Sequence, residues 1–368
     1  MNNMHGIIFS YEKQTGLREL LEHRVHGSIP FATNYRVVDF MLSNMVNAGI
    51  RDVGVIMHGK CQSMLDHLGT GKSWDLSRNY GGLTLLPAFA YAERRGSDGR
   101  FQGKMEALAC VLDYVRRIRQ DYVVLADSDV VINLPLQEVL QSHIESGAQM
   151  TAVCTDVLGE GNDTYFQLDE KGRITDTAYQ VYTPSGYRCL NVFILSKELL
   201  VNLVTDCMAH NRYSFRRHVL QQGGLDLHGF VWKGYSAHIN TVESYYQRSM
   251  ELLNPEIRAE LFCAQRPILA KENESPSTYI DPTGTCVNSL IGDGCDIQGD
   301  VKNCILFRGV QVEKGASVEG CILFKGTVVK KGAQLRHVIA DKYVTVSENV
   351  QLVGSESYPM LLARGSTV

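Results

Sequence analysis

Nowhere in the 368-residue chain does an apolar run approach the roughly twenty residues of a bilayer span, so no membrane helix is expected. Met1-Asn-Asn-Met-His5 lacks the basic flank and cleavage site of a secretory leader, and a cytoplasmic protein is the expectation. The ten cysteines include no CxxC pair, which removes the usual zinc and redox motifs. Several stand in strand-like apolar settings, as in Val153-Cys154 and Cys304-Ile305, and read as reduced core residues. A net charge of −4 on mixed signs gives no excess of positive charge for nucleic acid or an anionic membrane.

What the chain does have is a repeat. Asn303-Cys-Ile-Leu-Phe-Arg-Gly-Val310 returns seventeen residues later as Gly320-Cys-Ile-Leu-Phe-Lys-Gly-Thr327, and a degraded copy starts at His337. Alignment puts Ile305, Ile322 and Ile339 in one column, Val312, Val329 and Val346 in a second, and Val318, Leu335 and Leu352 in a third. An inward aliphatic about every six residues, with Gly309, Gly315, Gly326 and Gly332 at corners, is the pattern of a parallel β-helix built from hexapeptides. Asn288-Ser-Leu-Ile-Gly-Asp-Gly294 marks an earlier coil with a shorter loop. Naked coils risk edge pairing, so the solenoid should pack against another domain or subunit. Arg308, Lys325 and Lys342 recur in register as a basic column, which reads either as a solvated face or as a receiver for an anionic effector or an acidic partner surface.

Residues 1–253 alternate aliphatic runs with amphipathic stretches, which argues for an α/β sheet with helices on both faces. Strands are predicted at Met4–Phe9, Val53–Met57, Tyr122–Ala126, Met150–Cys154 and Leu190–Leu195, and helices at Tyr35–Ala48, at Lys104–Arg119 and from Lys197. A hairpin is expected around Lys171-Gly172. Pro255, Pro267 and Pro276 mark 254–280 as a linker, leaving 281–368 to the solenoid.

The strand at Tyr122 delivers Asp127-Ser128-Asp129 at its carboxyl end, where open α/β sheets bind ligands. Carboxylates there suit Mg²⁺ carrying a nucleotide, although an Asp pair after a strand also serves as a helix cap or a solvated turn. Gly69-Thr-Gly-Lys-Ser73 is not a phosphate loop, because Asp66 stands where the leading Gly is needed. Arg94, Arg95, Arg100 and Lys104 form a candidate phosphate cradle, or a plain solvated loop.

Asn34-Tyr-Arg-Val-Val-Asp-Phe-Met-Leu-Ser-Asn-Met-Val-Asn-Ala-Gly-Ile50 resembles K-[FY]-R-I-I-D-F-x-L-S-N-x-x-N-S-G-I of the bacterial glucose-1-phosphate adenylyltransferases. The resemblance continues through Asp127, the family's metal Asp after the strand, through Arg266-Pro-Ile268, and into the repeats. It implies a Rossmann-like nucleotidyltransferase domain followed by a C-terminal left-handed parallel β-helix.

The departures are as informative. The family's G-G-x-G-T-R-L loop is Tyr11-Glu-Lys-Gln-Thr-Gly-Leu17, with Gly16 at the Arg position and no glycines for close approach to phosphate. R-A-K-P is Arg24-Val-His-Gly27, which puts His26, mostly neutral near pH 7, where a Lys stood. W-x-G-T-A-D-A is Phe101-Gln-Gly-Lys-Met-Glu-Ala107, retaining Gly103 and Ala107. E-K-P is approximately Thr177-Ala-Tyr-Gln180, and the second metal Asp aligns with His238.

The resemblance therefore implies a vestigial site: Asp127 and Gly103 from the catalytic set, Gly16, His26, Arg36 and Asp127 from the nucleotide pocket, and Asp127 with His238 as weak metal positions. One carboxylate, Asp127, remains where the family uses two to hold Mg²⁺. Nucleotidyl transfer depends on positioning and charge neutralisation, so joint loss of these groups predicts little independent turnover. The pattern is that of the family's regulatory, non-catalytic branch, whose expected partner is a catalytic paralogue in a heterotetramer, with self-assembly and a phosphorylated effector also open. The competing expectation is an active nucleotidyltransferase using Asp127 with His238 or Asp129 on Mg²⁺. A β-helix acyltransferase would need His337, the one histidine after residue 280, and that residue reads better as a structural corner.

Overall fold

The computed structural model describes residues 3–11, 16–88, 101–157, 159, 163–179, 185–272 and 274–368. Its first half is built on a nine-stranded mixed sheet. Met4–Tyr11 lies at the centre, parallel to Asp52–His58 on one side and to Tyr122–Asp127 on the other, with Gly82–Pro87 parallel at the edge. These strands read as nearly continuous aliphatic runs because both faces are covered. Ile8, Val55 and Ala126 pack against the helix Val37–Asn47, while Ile7, Ile56 and Leu125 pack on the opposite face. Beyond Tyr122–Asp127 the sheet turns antiparallel through the ten-residue strand Tyr187–Ser196, which also pairs with Met150–Thr155 and Thr164–Leu168. The hairpin around Lys171-Gly172 is present, joining Thr164–Leu168 to Ile174–Tyr179.

Two predicted helices differ in extent. The first begins at Val37, because Tyr35–Arg36 is extended and pairs with Pro30–Phe31, and the Asp39 carboxylate accepts the Arg36 N–H at 2.9 Å. The second is interrupted: Lys104–Cys110 and Leu112–Arg117 are separate helices, with Val111 at φ −115°, ψ 21° between them. It stops at Arg117, and the freed carbonyl of Ile118 accepts from Lys197 Nζ at 2.7 Å.

The C-terminal part is a left-handed β-helix of three parallel five-stranded sheets. The columns read in the sequence are the observed register: Ile305 pairs with Ile322 and Ile322 with Ile339, Val312 with Val329 and Val346, and Val318 with Leu335 and Leu352. The earlier coil is also in place, Leu290 on Ile305. One corner is occupied in successive coils by Asn288, Asn303, Gly320 and His337, all at positive φ between 43° and 61°. His337 is therefore a corner residue, and its Nδ1 lies 2.8 Å from the Tyr246 hydroxyl.

Segment 254–280 carries the helix Pro255–Leu261, capped by Asn254. Its Leu261 and the following Ile268 are buried with Phe31 and Phe40 of the α/β domain and with Ile305, Ile322, Phe324 and Ile339 of the solenoid. One apolar core thus spans both halves, and this is how a flank of the β-helix is covered. Across the same seam Arg24 Nη2 donates to both carboxylate oxygens of Asp341, at 2.7 and 2.9 Å, with both side chains almost fully buried.

Candidate functional site

Asp127 ends its strand in register with Phe9, and its carboxylate is buried at the carboxyl edge of the parallel strands. The next residues form neither a helix cap nor a solvated turn. Ser128 and Asp129 are buried, and Val130–Ile132 continues as a strand that pairs with Ser236–His238. The sequence expectation of a residue delivered to the ligand edge of the sheet is met geometrically.

The group facing that carboxylate is Lys104, at the start of the Lys104–Cys110 helix, with Nζ 2.9 Å from Asp127 Oδ1. Its side chain is only 14% exposed. The ammonium also lies 5.5 Å from the ring centres of Phe9 and Phe193 and 5.8 Å from that of Phe215. Lys104 is thus not an open phosphate cradle. Arg94, Arg95 and Arg100 of that cradle lie outside the described residues, as does Gln180 of the sugar-phosphate motif; Thr177 is half-buried on its edge strand and its carbonyl accepts from Gln221.

Gly103 is needed for packing: a Cβ there would come within 2.3 Å of the Tyr213 carbonyl oxygen. Gly16 bridges to the segment after His238, donating to Asn240 O at 3.0 Å and accepting from Val242 N at 3.2 Å. His26 is buried, one ring nitrogen closely bonded to the Ile239 carbonyl and the other 3.4 Å from Ser128 O, so it braces the two strand ends rather than facing a phosphate. His238 is buried with Nδ1 3.8 Å from Asp163, whose other oxygen lies 3.7 Å from Arg188.

Gly16, His26, Asp127 and His238 are therefore brought to neighbouring strand ends, but the side chains do not fit Mg²⁺. That ion requires oxygen ligands in octahedral array and keeps several waters. Here the carboxylate faces an ammonium that is itself ringed by three phenyl groups, and an imidazole stands where the resemblance puts the second carboxylate. No group of three or more His, Cys, Asp or Glu suited to a metal occurs among the described residues.

Arg36 belongs elsewhere. Its guanidinium donates to the Ser63 carbonyl at 2.5 Å and to Ser63 Oγ at 2.9 Å. Burial, set against attraction to Asp39 and compounded by repulsion from Arg24, pulls its pKa down to about 10. Lys342 is nearby at the seam, and burial, then Arg36 and Arg24, push it down to about 7. Ladder bonds from Gly326 to Arg308, Tyr343 to Lys325 and Gly365 to Lys342 confirm the basic column and extend it to Arg364. Arg24 Nη1 is buried there with no hydrogen-bond partner. Arg24 and Lys342 stand far apart in the sequence, and only the seam makes them one cluster.

Residues 7–176 match the nucleotidyl transferase family model, and residues 277–358 match that of the GlmU-like C-terminal hexapeptide. The chain is 36% identical to the glycogen biosynthesis protein GlgD of Bacillus subtilis, over 99% of this chain and 96% of that protein. It is 32% identical to GlgD of Geobacillus stearothermophilus, over 86% of this chain and 83% of the relative. Against the glucose-1-phosphate adenylyltransferase of Pseudothermotoga lettingae the identity is 29%, over 81% and 72% respectively. The chain belongs to the bacterial glucose-1-phosphate adenylyltransferase family, in its GlgD branch.

Proposed function

From that membership we propose that the protein acts in glycogen biosynthesis as a regulatory subunit. It associates with a catalytic paralogue in a heterotetramer and tunes the conversion of ATP and glucose 1-phosphate to ADP-glucose and pyrophosphate. The observation that carries the reading is Lys104 on Asp127: the carboxylate left for a metal is already neutralised. Loss of one preorganised stabilising group costs on the order of 10²–10³ in rate. The chain alone should have little or no turnover.

Regulation enters at the seam. Arg24, Arg36, Lys342 and Arg364 gather positive charge near the Asp341 carboxylate, in a place where α/β domain and solenoid meet. A phosphorylated effector suits that charge, and its binding would bear on how the two halves hold together.

Pyrophosphate release from ATP and glucose 1-phosphate with Mg²⁺ tests this, for the purified chain alone and mixed with the catalytic paralogue from the same genome. Silence alone with raised turnover or affinity in the mixture is expected. Robust activity alone, abolished by Asp127→Asn, would make the protein an enzyme with an altered site.

A further inference from the structure

We propose that Lys104 is the pocket's resident cation: its ammonium stands beside Asp127 in a three-ring cage that accepts an alkylammonium and rejects hydrated Mg²⁺. Five residues from separate stretches of the chain make this site: Phe9, Lys104, Asp127, Phe193 and Phe215. Phe9, Phe193 and Phe215 are each at most 4% exposed, so their rings are fixed in the core rather than folded over the ammonium from solution. An ammonium gains from aromatic faces within about 6 Å of the ring centre, and from its ion pair with the carboxylate. Mg²⁺ gains nothing from a phenyl face and would have to shed waters it holds strongly. The cage is therefore selective by chemistry as well as by charge.

The position of Lys104 adds a second reason. Gly103 before it lies against the Tyr213 carbonyl, and the next amide, Met105 N–H, donates to that carbonyl at 3.1 Å. The helix start is thereby pinned to the segment that carries Phe215. Lys104 reaches Asp127 from a fixed backbone, so the ion pair is a permanent part of the fold.

Chemical rescue distinguishes this from a blocked metal site. Lys104→Ala removes three methylenes and the ammonium, the outline of n-propylammonium, and leaves Asp127 buried without that cation. Breaking a buried pair in this way should lower the melting temperature of the full chain by about 6–10 °C. n-Propylammonium chloride should recover a large part of the loss, MgCl₂ or NaCl at equal ionic strength should not, and Lys104→Ala/Asp127→Asn should be indifferent to the amine. Recovery by MgCl₂ in place of the amine, or by neither, would overturn the proposal. Should the alanine variant not fold, Lys104→Met keeps the stem, and Lys104→Met/Asp127→Asn must then melt higher than Lys104→Met; an equal or lower melting point would overturn it equally. Only the chain alone is measured, so a failure here would leave the regulatory assembly untouched, and the reverse also holds.

Discussion

The pocket at Asp127 and the seam at Asp341 each bury a carboxylate against a cation, yet they differ in what is left over. At the pocket Lys104 answers Asp127, and three phenyl rings lie within 5.8 Å of its ammonium. At the seam Arg24 answers Asp341 and Arg36 is drawn to Asp39, yet Arg24, Arg36 and Arg364 still push Lys342 down, so positive charge stays in excess there. A balanced buried pair has no electrostatic need of a ligand, whereas crowded cations lose repulsion when an anion arrives. The difference teaches where this chain should still respond to small molecules: between its halves, not at the ligand edge of its sheet.

Asp341→Ala should break the comparison most severely. It strands Arg24 in the core, and removing one partner of a buried pair costs about 3–5 kcal/mol. Calorimetry should show the joint melting of α/β domain and solenoid separate into two transitions; a single unshifted transition would mean that the pair does not couple them. A smaller effect is expected from inorganic phosphate. If it binds the surplus cations, stabilisation grows with concentration and reaches about 2.7 kcal/mol at a hundred times Kd. Arg36→Met/Lys342→Met should abolish this response and Lys104→Met should not.

The pH dependence sharpens the same contrast. Lys342 is lowered from its ordinary 10.5 to about 7 by burial and by Arg36 and Arg24, so the folded state disfavours its proton. The penalty is fully present below about pH 7, and stability relative to Lys342→Met should rise as pH climbs from 7 towards the unfolded value. Parallel melting curves for the two proteins between pH 6.5 and 9.5 would contradict it. The smallest change is expected from Tyr246→Phe, which removes the hydroxyl donated to Gly320 O at 2.6 Å and should cost about 1 kcal/mol in chemical denaturation.

Much of this architecture was legible in the chain. The aliphatic columns of the solenoid became its register because a β-helix repeats the same local step, and each coil meets only its neighbours. Asp127 was readable for a similar reason: a short buried strand ends where its aliphatic run ends. The site around it was less legible. Lys104 looked like loop charge next to Arg100, and the break at Val111 was hidden inside a continuous helical pattern. Arg36, placed by resemblance among nucleotide-pocket residues, instead lies on Ser63 at the seam because the extended backbone at 35–36 precedes the helix and turns it that way.

By itself, then, the sequence determined the periodic solenoid and the alternating α/β half, since each is written in neighbouring residues through pattern and local conformational preference. Tertiary structure alone decided the charge pairings. Arg24 and Asp341 lie 317 residues apart, and the cage around Lys104 draws on Phe9, Phe193 and Phe215. Coulombic and cation–π attraction depend on distance in space and on exclusion of water, and both are fixed only when the sheet, the helices and the coils have packed.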